Sequence, residues 1–221
     1  MTFATIFDVD GVLVDSYQAH FDSYRLLGQE LGLTMSPEQF DTHFGRTTRE
    51  TIAAVWPQRG FCEEEIRALD DRKELLFRSL LSDHFPVMEG ASELLEQLHV
   101  AGWQLAVGSS GPPENVALVM DQVDRQNRIR VRVTGRDVTR GKPDPQVFLM
   151  AAERLGVPPE CCLVVEDAAA GVTAASAANM ATVGLVSTGR TRDELSAADL
   201  VVGSLCELSV DTLKKLVPTP S

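Results

Sequence analysis

The chain has 221 residues, of which 44% are hydrophobic and 24% charged, ordinary values for a globular protein with one large domain or a domain plus a subdomain. Its formal net charge of −12 supplies no global field that would attract a polyanion, so nucleic acid is excluded as an expected partner. A small anionic substrate would therefore need a local cationic site or a bound metal ion.

The first predicted element is a short apolar strand that ends at Phe7 and leads directly into the sequence DVDGVLVDS. Asp8, Asp10 and Asp15 stand within eight residues, and burial of such carboxylates without compensation costs roughly several kcal/mol each. We therefore expect a cation at this segment. The chain start has no basic region and reaches an aspartate too early for a signal peptide, so none is expected.

Residues 17–83 show successive helical patterns and no convincing strand. Apolar positions recur at helical spacing over residues 20–33, and Ser36 and Pro37 are typical of the N-cap and first position of a second helix. Residues 62–85 predict a long amphipathic helix with acidic residues in its first turns, where the helix dipole favours them. This block is therefore predicted to be wholly helical.

From Pro86 onward, predicted strands and helices alternate. The helices cover residues 90–102, 112–123, 144–156 and 169–179, and the strands cover residues 103–110, 129–135, 161–167, 180–187 and 198–204. Strands separated by helices imply a parallel sheet that is covered on both faces. The sequence therefore predicts an α/β fold with a Rossmann-like parallel-sheet core, residues 1–15 and 85–221, and an inserted α-helical cap domain, residues 16–84.

Two segments of this region raise alternatives that we do not favour. Residues 168–188 carry no charge, but their small residues and interrupting glycines predict a close-packed helix and a buried strand rather than a membrane span. Arg128, Arg130 and Arg132 alternate with apolar residues, which predicts a peripheral strand with one solvated face rather than a nucleic-acid site. We expect neither a membrane nor a nucleic acid as partner.

The cysteines indicate the compartment. Cys62, Cys161, Cys162 and Cys206 form no CxxC spacing and no disulfide framework. In a chain of this size, that pattern is typical of reduced thiols in a cytoplasm. We therefore expect a cytoplasmic protein, and a monomer rather than an oligomer.

Polar side chains cluster after the predicted strands, at the edge where an open parallel sheet binds its ligands. They are Asp8 and Asp10, Ser109 and Ser110, Lys142, and Glu166 with Asp167. Singly they are ambiguous, because strand-end acids and serines often cap the next helix and a loop lysine is usually solvated. Together they supply oxygen ligands for Mg²⁺, hydroxyl and amide donors and one fixed cation, a set that suits a phosphoryl group with its metal ion.

The motifs DVDGVLVDS, GKPDP and VVEDAAAGV, with Ser109 between the first two, resemble those of the haloacid dehalogenase superfamily. The helical insertion after the first motif is similar to that of its beta-phosphoglucomutase-like branch. The resemblance implies Mg²⁺-dependent phosphoryl transfer, in which Asp8 is the nucleophile that becomes an aspartyl phosphate and Asp10 is the general acid and base. The phosphoryl group would be held by Ser109, Ser110 and Lys142, and the metal ion by Asp8, the Asp10 backbone carbonyl, Glu166 and Asp167.

Elementary chemistry supports the roles of Asp8 as nucleophile and of Asp10 as general acid and base. A carboxylate with an ordinary pKa of roughly 3.9 is ionised at neutral pH, and Asp8 can attack phosphorus once Mg²⁺ and Lys142 reduce the repulsion. Gly11 permits a turn that lets Asp10 face the leaving oxygen, and positioned proton transfer contributes roughly 10²- to 10⁴-fold. A halide leaving group needs no proton, so Asp10 argues against dehalogenase activity.

The helical block carries two candidate substrate residues, His20 and Lys73. The resemblance implies that His20 helps to control the proton of Asp10 and that Lys73 reaches toward a phosphate-bearing sugar. The alternatives are a solvated helix histidine and, for Lys73, a surface salt bridge with Glu74 or Asp70.

Arg46 and Arg49 lie near a predicted helix start, a natural place to bind a second anion. Beta-phosphoglucomutases carry a lysine just before the glycine of this segment and an arginine three residues after it. Here Phe44 precedes Gly45, and Arg49 stands four residues after that glycine. Because a mutase must hold a bisphosphate intermediate by both ends, the missing lysine favours a phosphatase acting on a small sugar phosphate or related phosphomonoester. A beta-phosphoglucomutase-type mutase is the alternative.

A non-catalytic binding module is a further alternative, because haloacid dehalogenase-like chains can lose catalysis. Loss of Asp8 or Asp10 would indicate such a module, and both aspartates are present. We therefore expect an enzyme whose partner is a small phosphorylated metabolite and whose cofactor is Mg²⁺.

Overall fold

The computed structural model describes residues 2–218, and the chain forms two compact units. The first unit runs to Asp15 and resumes at Pro86, whereas the second comprises Ser16–Phe85. The backbone N–H of Asp15 donates to the carbonyl of Pro86 at 2.9 Å, so the two points at which the first unit is interrupted lie side by side.

The strands are β1 (Ala4–Phe7), β2 (Gln104–Gly108), β3 (Ile129–Val133), β4 (Cys162–Glu166), β5 (Ala181–Leu185) and β6 (Leu200–Val202). The helices are α1 (Tyr17–Leu31), α2 (Pro37–His43), α3 (Thr48–Val55), α4 (Glu63–Asp83), α5 (Ala91–Val100), α6 (Pro113–Val123), α7 (Gln146–Leu155), α8 (Ala169–Ala177) and α9 (Val210–Leu216). The strands form a six-stranded sheet in the order β3-β2-β1-β4-β5-β6, and each neighbouring pair is parallel. The predicted α/β fold class is confirmed.

The centre of the sheet is buried on both faces. Every residue of β1 and β4 is buried, although successive side chains of a strand point to opposite faces. On one face, Phe148 of α7 and Ala174 of α8 pack in the same apolar cluster as Ile6 and Val164. Near-continuous apolar strands are what a parallel sheet between two helix layers requires. The carboxyl ends of the strands are the part of the sheet left for polar chemistry.

Several predictions about individual segments hold, and one needs correction. The uncharged stretch forms α8 and β5, and β3 is an edge strand, as predicted. The side chain of Arg128 is not solvated, however: it is 9% exposed and forms an ion pair with Glu96 of α5. Within residues 2–218, no helix is both long and apolar enough to cross a membrane.

The second unit contains α1 to α4 and packs around its own aromatic core. Tyr24, Phe40, Ile52 and Trp56 are among the buried residues of that core. Ser36 caps α2 as predicted, because its hydroxyl accepts the backbone N–H at the third helical position. The helical character predicted for this block is therefore found in the structure.

Candidate active site

Asp8 follows β1 and begins a tight turn. Its backbone N–H donates to the carbonyl of Val165 on β4 at 2.9 Å, which fixes the start of the turn on the neighbouring strand. Gly11 has a φ of 74°, and a Cβ at this position would overlap the carboxylate of Asp167. Glycine is therefore required twice over, by the backbone conformation and by the close approach of the turn to Asp167.

Lys142 joins two of the predicted site residues. Its Nζ donates to Asp8 Oδ1 at 2.7 Å and to Glu166 Oε1 at 2.6 Å, and it lies 4.9 Å from the ring centroid of Phe148. The lysine side chain is only 8% exposed, so the solvated loop lysine considered above is ruled out. Burial opposes its charge, but Asp8 and Glu166 raise the pKa of Lys142 above its ordinary value, and it stays an ammonium group.

Glu166 is buried at the end of β4 and has two functions. One carboxylate oxygen accepts from Lys142, and the other accepts the backbone N–H of Ala168 at 2.8 Å. That N–H belongs to the residue before α8 and not to its first turn, and no side chain caps this helix, so the helix-capping interpretation is wrong for Glu166. Gly171 of α8 makes room for this carboxylate, because an added Cβ there would overlap Glu166 Oε1.

Asp167 is held by two residues that the sequence analysis did not select. Ser187 donates from its hydroxyl to Asp167 Oδ2 at 2.8 Å, and Arg190 donates from Nε to the same oxygen at 3.4 Å. Both residues follow β5, the neighbour of β4 in the sheet. Both positions fit the rule that ligand-binding groups follow the strands of a parallel sheet.

The three buried acids form a candidate metal site. Asp8, Glu166 and Asp167 present carboxylate oxygens within 4.8 Å of one another. Burial raises the pKa of Asp8 well above its ordinary value; Lys142 opposes this effect, whereas the neighbouring carboxylates add to it. Burial and Glu166 likewise raise the pKa of Asp167 to about 6. A divalent cation would relieve this repulsion, and a set of carboxylate oxygens suits a hard ion of the Mg²⁺ type.

Ser109, which follows β2, lies near Asp10 of the turn that follows β1. Ser109 is buried after β2, its N–H donates to the carbonyl of Val133 at 3.0 Å, and its Oγ accepts the N–H of Gly111 at 3.0 Å. A Cβ placed on Gly111 would lie 3.3 Å from Ser109 Oγ and 3.8 Å from Asp10 Oδ2, so both side chains border that glycine. Ser110 is exposed, in contrast to Ser109.

Within the second unit, the structure brings His20 and Lys73 together. Lys73 Nζ lies 2.9 Å from His20 Nδ1 and 2.8 Å from a carboxylate oxygen of Glu74. His20 stacks on Phe77 with ring centroids 4.0 Å apart. Lys73 is 3% exposed, so its pairing with Glu74 is a buried contact and not the surface salt bridge considered above. The solvated histidine is likewise excluded, because His20 is half-buried against Phe77.

Arg46 and Arg49 have a different environment. Arg49 makes a bidentate ion pair with Glu63, and both side chains are at least half exposed. Arg46 is exposed just before α3. Their predicted role in binding a second anion therefore stays a prediction.

Comparison with known proteins agrees with the resemblance in the motifs. Residues 4–179 match the family model of haloacid dehalogenase-like hydrolases. The phosphorylated carbohydrates phosphatase of Thermotoga maritima is 30% identical over 180 residues, which cover 80% of this chain and 82% of that protein. The beta-phosphoglucomutase of Bacillus subtilis is 28% identical over 216 residues, with coverages of 95% and 93%.

A solved structure extends the similarity to the whole fold. The crystal structure of beta-phosphoglucomutase from Clostridium difficile superimposes with a TM-score of 0.85 at 26% identity, covering 98% of this chain and 97% of that one. The family match spans most of the chain, including Asp8, Lys142 and Asp167. The chain therefore belongs to the haloacid dehalogenase-like hydrolase family.

Proposed function

We propose that the chain is a Mg²⁺-dependent phosphatase that hydrolyses a small phosphorylated metabolite, such as a sugar phosphate, through a phosphoryl group carried on Asp8. The observation that supports this most directly is the 2.7 Å contact between Lys142 Nζ and Asp8 Oδ1. A carboxylate beside a buried ammonium group is held in one position, and the same cation can offset the charge of an incoming phosphoryl group.

Four groups would hold the metal ion: the side chains of Asp8, Glu166 and Asp167, and the backbone carbonyl of Asp10. Three of them are the carboxylates that lie within 4.8 Å of one another. When bound, Mg²⁺ supplies positive charge that reduces the repulsion between these carboxylates and the phosphoryl oxygens. Burial and the neighbouring carboxylates together outweigh Lys142 and raise the pKa of Asp8, so a second cation would favour its ionised form.

In the first step, an oxygen of Asp8 forms a bond to phosphorus, and the bond from phosphorus to the ester oxygen breaks. Asp10 gives its proton to that departing oxygen, so the product leaves as a neutral alcohol. Ser109 and Lys142 hold the transferred phosphoryl oxygens. In the second step, a water molecule attacks phosphorus while Asp10 takes a proton from that water. The bond from phosphorus to Asp8 breaks, which releases phosphate and restores the Asp8 carboxylate.

A mutase of the beta-phosphoglucomutase type is the second candidate. The contact between His20 and Lys73 favours it, because both residues match cap residues of those mutases. Two observations favour the phosphatase: Arg49 is engaged by Glu63, and Phe44 stands where a lysine would help to hold a bisphosphate. We propose that residues 16–84 serve as the cap that selects the substrate in either case.

We also propose that the enzyme acts in the cytoplasm. Cys62, Cys161, Cys162 and Cys206 are all free thiols in the structure, the state that a reducing compartment maintains. The expectation of a monomer stays a prediction.

A panel of sugar phosphates and bisphosphates, assayed in Mg²⁺, tests the proposed function. A phosphatase releases free phosphate in proportion to substrate consumed, and chelator abolishes the release. Conversion of beta-glucose 1-phosphate to glucose 6-phosphate that depends on a bisphosphate primer and releases no net phosphate would show that the chain is a mutase instead. No turnover of any ester by the purified protein would favour a binding module.

A further inference from the structure

Two side chains bind the same oxygen of Asp167. Ser187 Oγ and Arg190 Nε both donate to Oδ2, at 2.8 and 3.4 Å. The Arg190 and Asp167 side chains are 13% and 5% exposed, so this contact lies largely away from solvent. The turn at Gly11 packs against the same oxygen. Oδ2 of Asp167 is therefore surrounded by protein groups.

The backbone after β5 explains why both donors reach one atom. The N–H of Ser187 donates to the carbonyl of Leu185 at 2.9 Å, and the N–H of Arg190 donates to the carbonyl of Ser187 at 3.0 Å. Gly189 has a φ of 77°, a conformation that glycine adopts without strain. The resulting turn brings Arg190 back beside Ser187. Thr188 also ties this turn to Asp15, through a 2.8 Å hydrogen bond from its hydroxyl.

We propose that Ser187 and Arg190 are positioning residues that hold Oδ2 of Asp167 and thereby reserve its other oxygen for the divalent cation. This inference rests on the metal site of the proposed function. Two donors on one oxygen oppose rotation of the carboxylate, so the second oxygen keeps one orientation. Loss of such outer contacts to a ligand typically weakens metal binding by about 10- to 100-fold.

Arg190 also has an effect of the opposite sign on metal binding. Its positive charge repels a cation bound at Asp167, and removal of that charge alone would tighten metal binding. The two roles therefore predict opposite signs for an Arg190→Gln variant. Ser187 carries no charge, so its removal reports on positioning alone.

Binding of the metal alone, without substrate, separates these possibilities. We would measure Mg²⁺ affinity by calorimetry and Mn²⁺ affinity by electron paramagnetic resonance for the wild type, Ser187→Ala, Ser187→Thr, Arg190→Gln and Arg192→Gln. Ser187→Thr keeps the hydroxyl. Arg192 belongs to the same loop but donates to the carbonyl of Val201, so it is the matched control.

We expect Ser187→Ala and Arg190→Gln each to weaken metal binding by about 10-fold or more, with affinity restored in Ser187→Thr and unchanged in Arg192→Gln. Unaltered or tighter binding by Ser187→Ala would overturn the positioning role of Ser187, and unaltered or tighter binding by Arg190→Gln would overturn that of Arg190; either result would leave the metal site standing. Absence of metal binding by the wild type would overturn the metal site and the inference together. Circular dichroism spectra identify any variant that is misfolded, and Ser187→Thr then decides the role of the hydroxyl.

Discussion

Lys142 Nζ and Asp8 Oδ1 lie 2.7 Å apart, although 134 residues separate the two in the chain. The same ammonium group binds Glu166, so one cation holds the residue proposed as nucleophile and a residue proposed for the metal site. Both partners are largely buried, and removal of one partner from such a pair leaves uncompensated charge.

Replacement of Lys142 by Met should therefore affect both stability and activity. We expect unfolding free energy to fall by about 3 kcal/mol in the absence of metal, because Asp8 and Glu166 would be left without their cation. Saturating Mg²⁺ should recover part of that loss. Phosphate release should fall by roughly 10²- to 10³-fold, the usual cost of losing one charge-stabilising donor.

Urea unfolding with and without Mg²⁺, together with phosphate assays, checks this prediction. Lys214→Met is the matched control, since Lys214 is exposed on α9. Near-normal activity in Lys142→Met would remove Lys142 from its proposed role.

Gly171→Ala should inactivate the protein through Glu166. Alanine is favoured over glycine inside a helix by roughly 1 kcal/mol, so propensity alone predicts a more stable α8. The added Cβ would overlap the Glu166 carboxylate, which must then move away from Lys142. We expect lower activity and a lower Tm, measured by phosphate release and thermal unfolding. Ala170→Gly, at an exposed position of the same helix, should lower Tm and leave activity intact; a stabilised and active Gly171→Ala would contradict the assigned contact.

Arg49→Gln tests the substrate role of the helical insertion. If Arg49 binds part of the phosphatase substrate, its loss should raise KM with a smaller change in kcat. This pattern is expected when the lost contact stabilises the bound substrate and the transition state equally. Stability should barely change, because the ion pair with Glu63 is exposed. Arg72→Gln removes a comparable exposed pair with Glu30 and should leave both constants unchanged. Equal kinetics in the two variants would show that Arg49 does not contact substrate.

The pair between Asp137 and Arg154 predicts a pH dependence of stability away from the site. Hydrogen bonds from Arg154 and Thr134 lower the pKa of Asp137 to about 2 from its ordinary value of 3.8. A lowered folded-state pKa stabilises the protein above the ordinary value, and this stabilisation is lost as pH falls from about 4 toward 2. Because Arg154 is 41% exposed, we expect this pH-dependent stabilisation to be only about 1 kcal/mol.

Urea unfolding of the wild type and Asp137→Asn at pH 6 and at pH 3 measures this effect. The stability difference between the two proteins should be larger at pH 6. A stability difference that is independent of pH would show that the contacts of Asp137 do not make the stability of the protein depend on pH.

The sequence predicted the parts of the site that follow from strand ends. Asp8 follows β1, Glu166 ends β4, and Asp167 follows β4. Because β1 and β4 are parallel neighbours, their carboxyl ends lie side by side, so the strand positions alone bring these three residues together. The sequence indicated Lys142 as a candidate cation but not its contacts with Asp8 and Glu166, because those contacts depend on the path of the loop that carries it.

Other residues could not be placed because their environment is built by distant segments. Burial of Lys73 depends on Tyr24 and Phe77, whose rings lie 5.2 Å from its Nζ and which belong to two different helices. The strand-end rule can select Ser187 and Arg190, because both follow β5, but their shared contact with Asp167 depends on the packing of β5 beside β4. The helix α9 was not predicted, because its seven residues show no clear periodic pattern and its N-cap, Ser209, is not followed by a proline as the N-cap of α2 is.

Chemical trapping tests whether the phosphoryl group is carried on Asp8. Enzyme that is turning over a phosphate ester in Mg²⁺ is quenched and treated with borohydride, which reduces an aspartyl phosphate to homoserine, and its peptides are sequenced by mass spectrometry. We expect homoserine at position 8 in the wild type, and neither homoserine nor phosphate release in Asp8→Asn. Phosphate release without any trapped residue at position 8, or sustained turnover by a purified Asp8→Asn, would show that Asp8 does not carry the phosphoryl group.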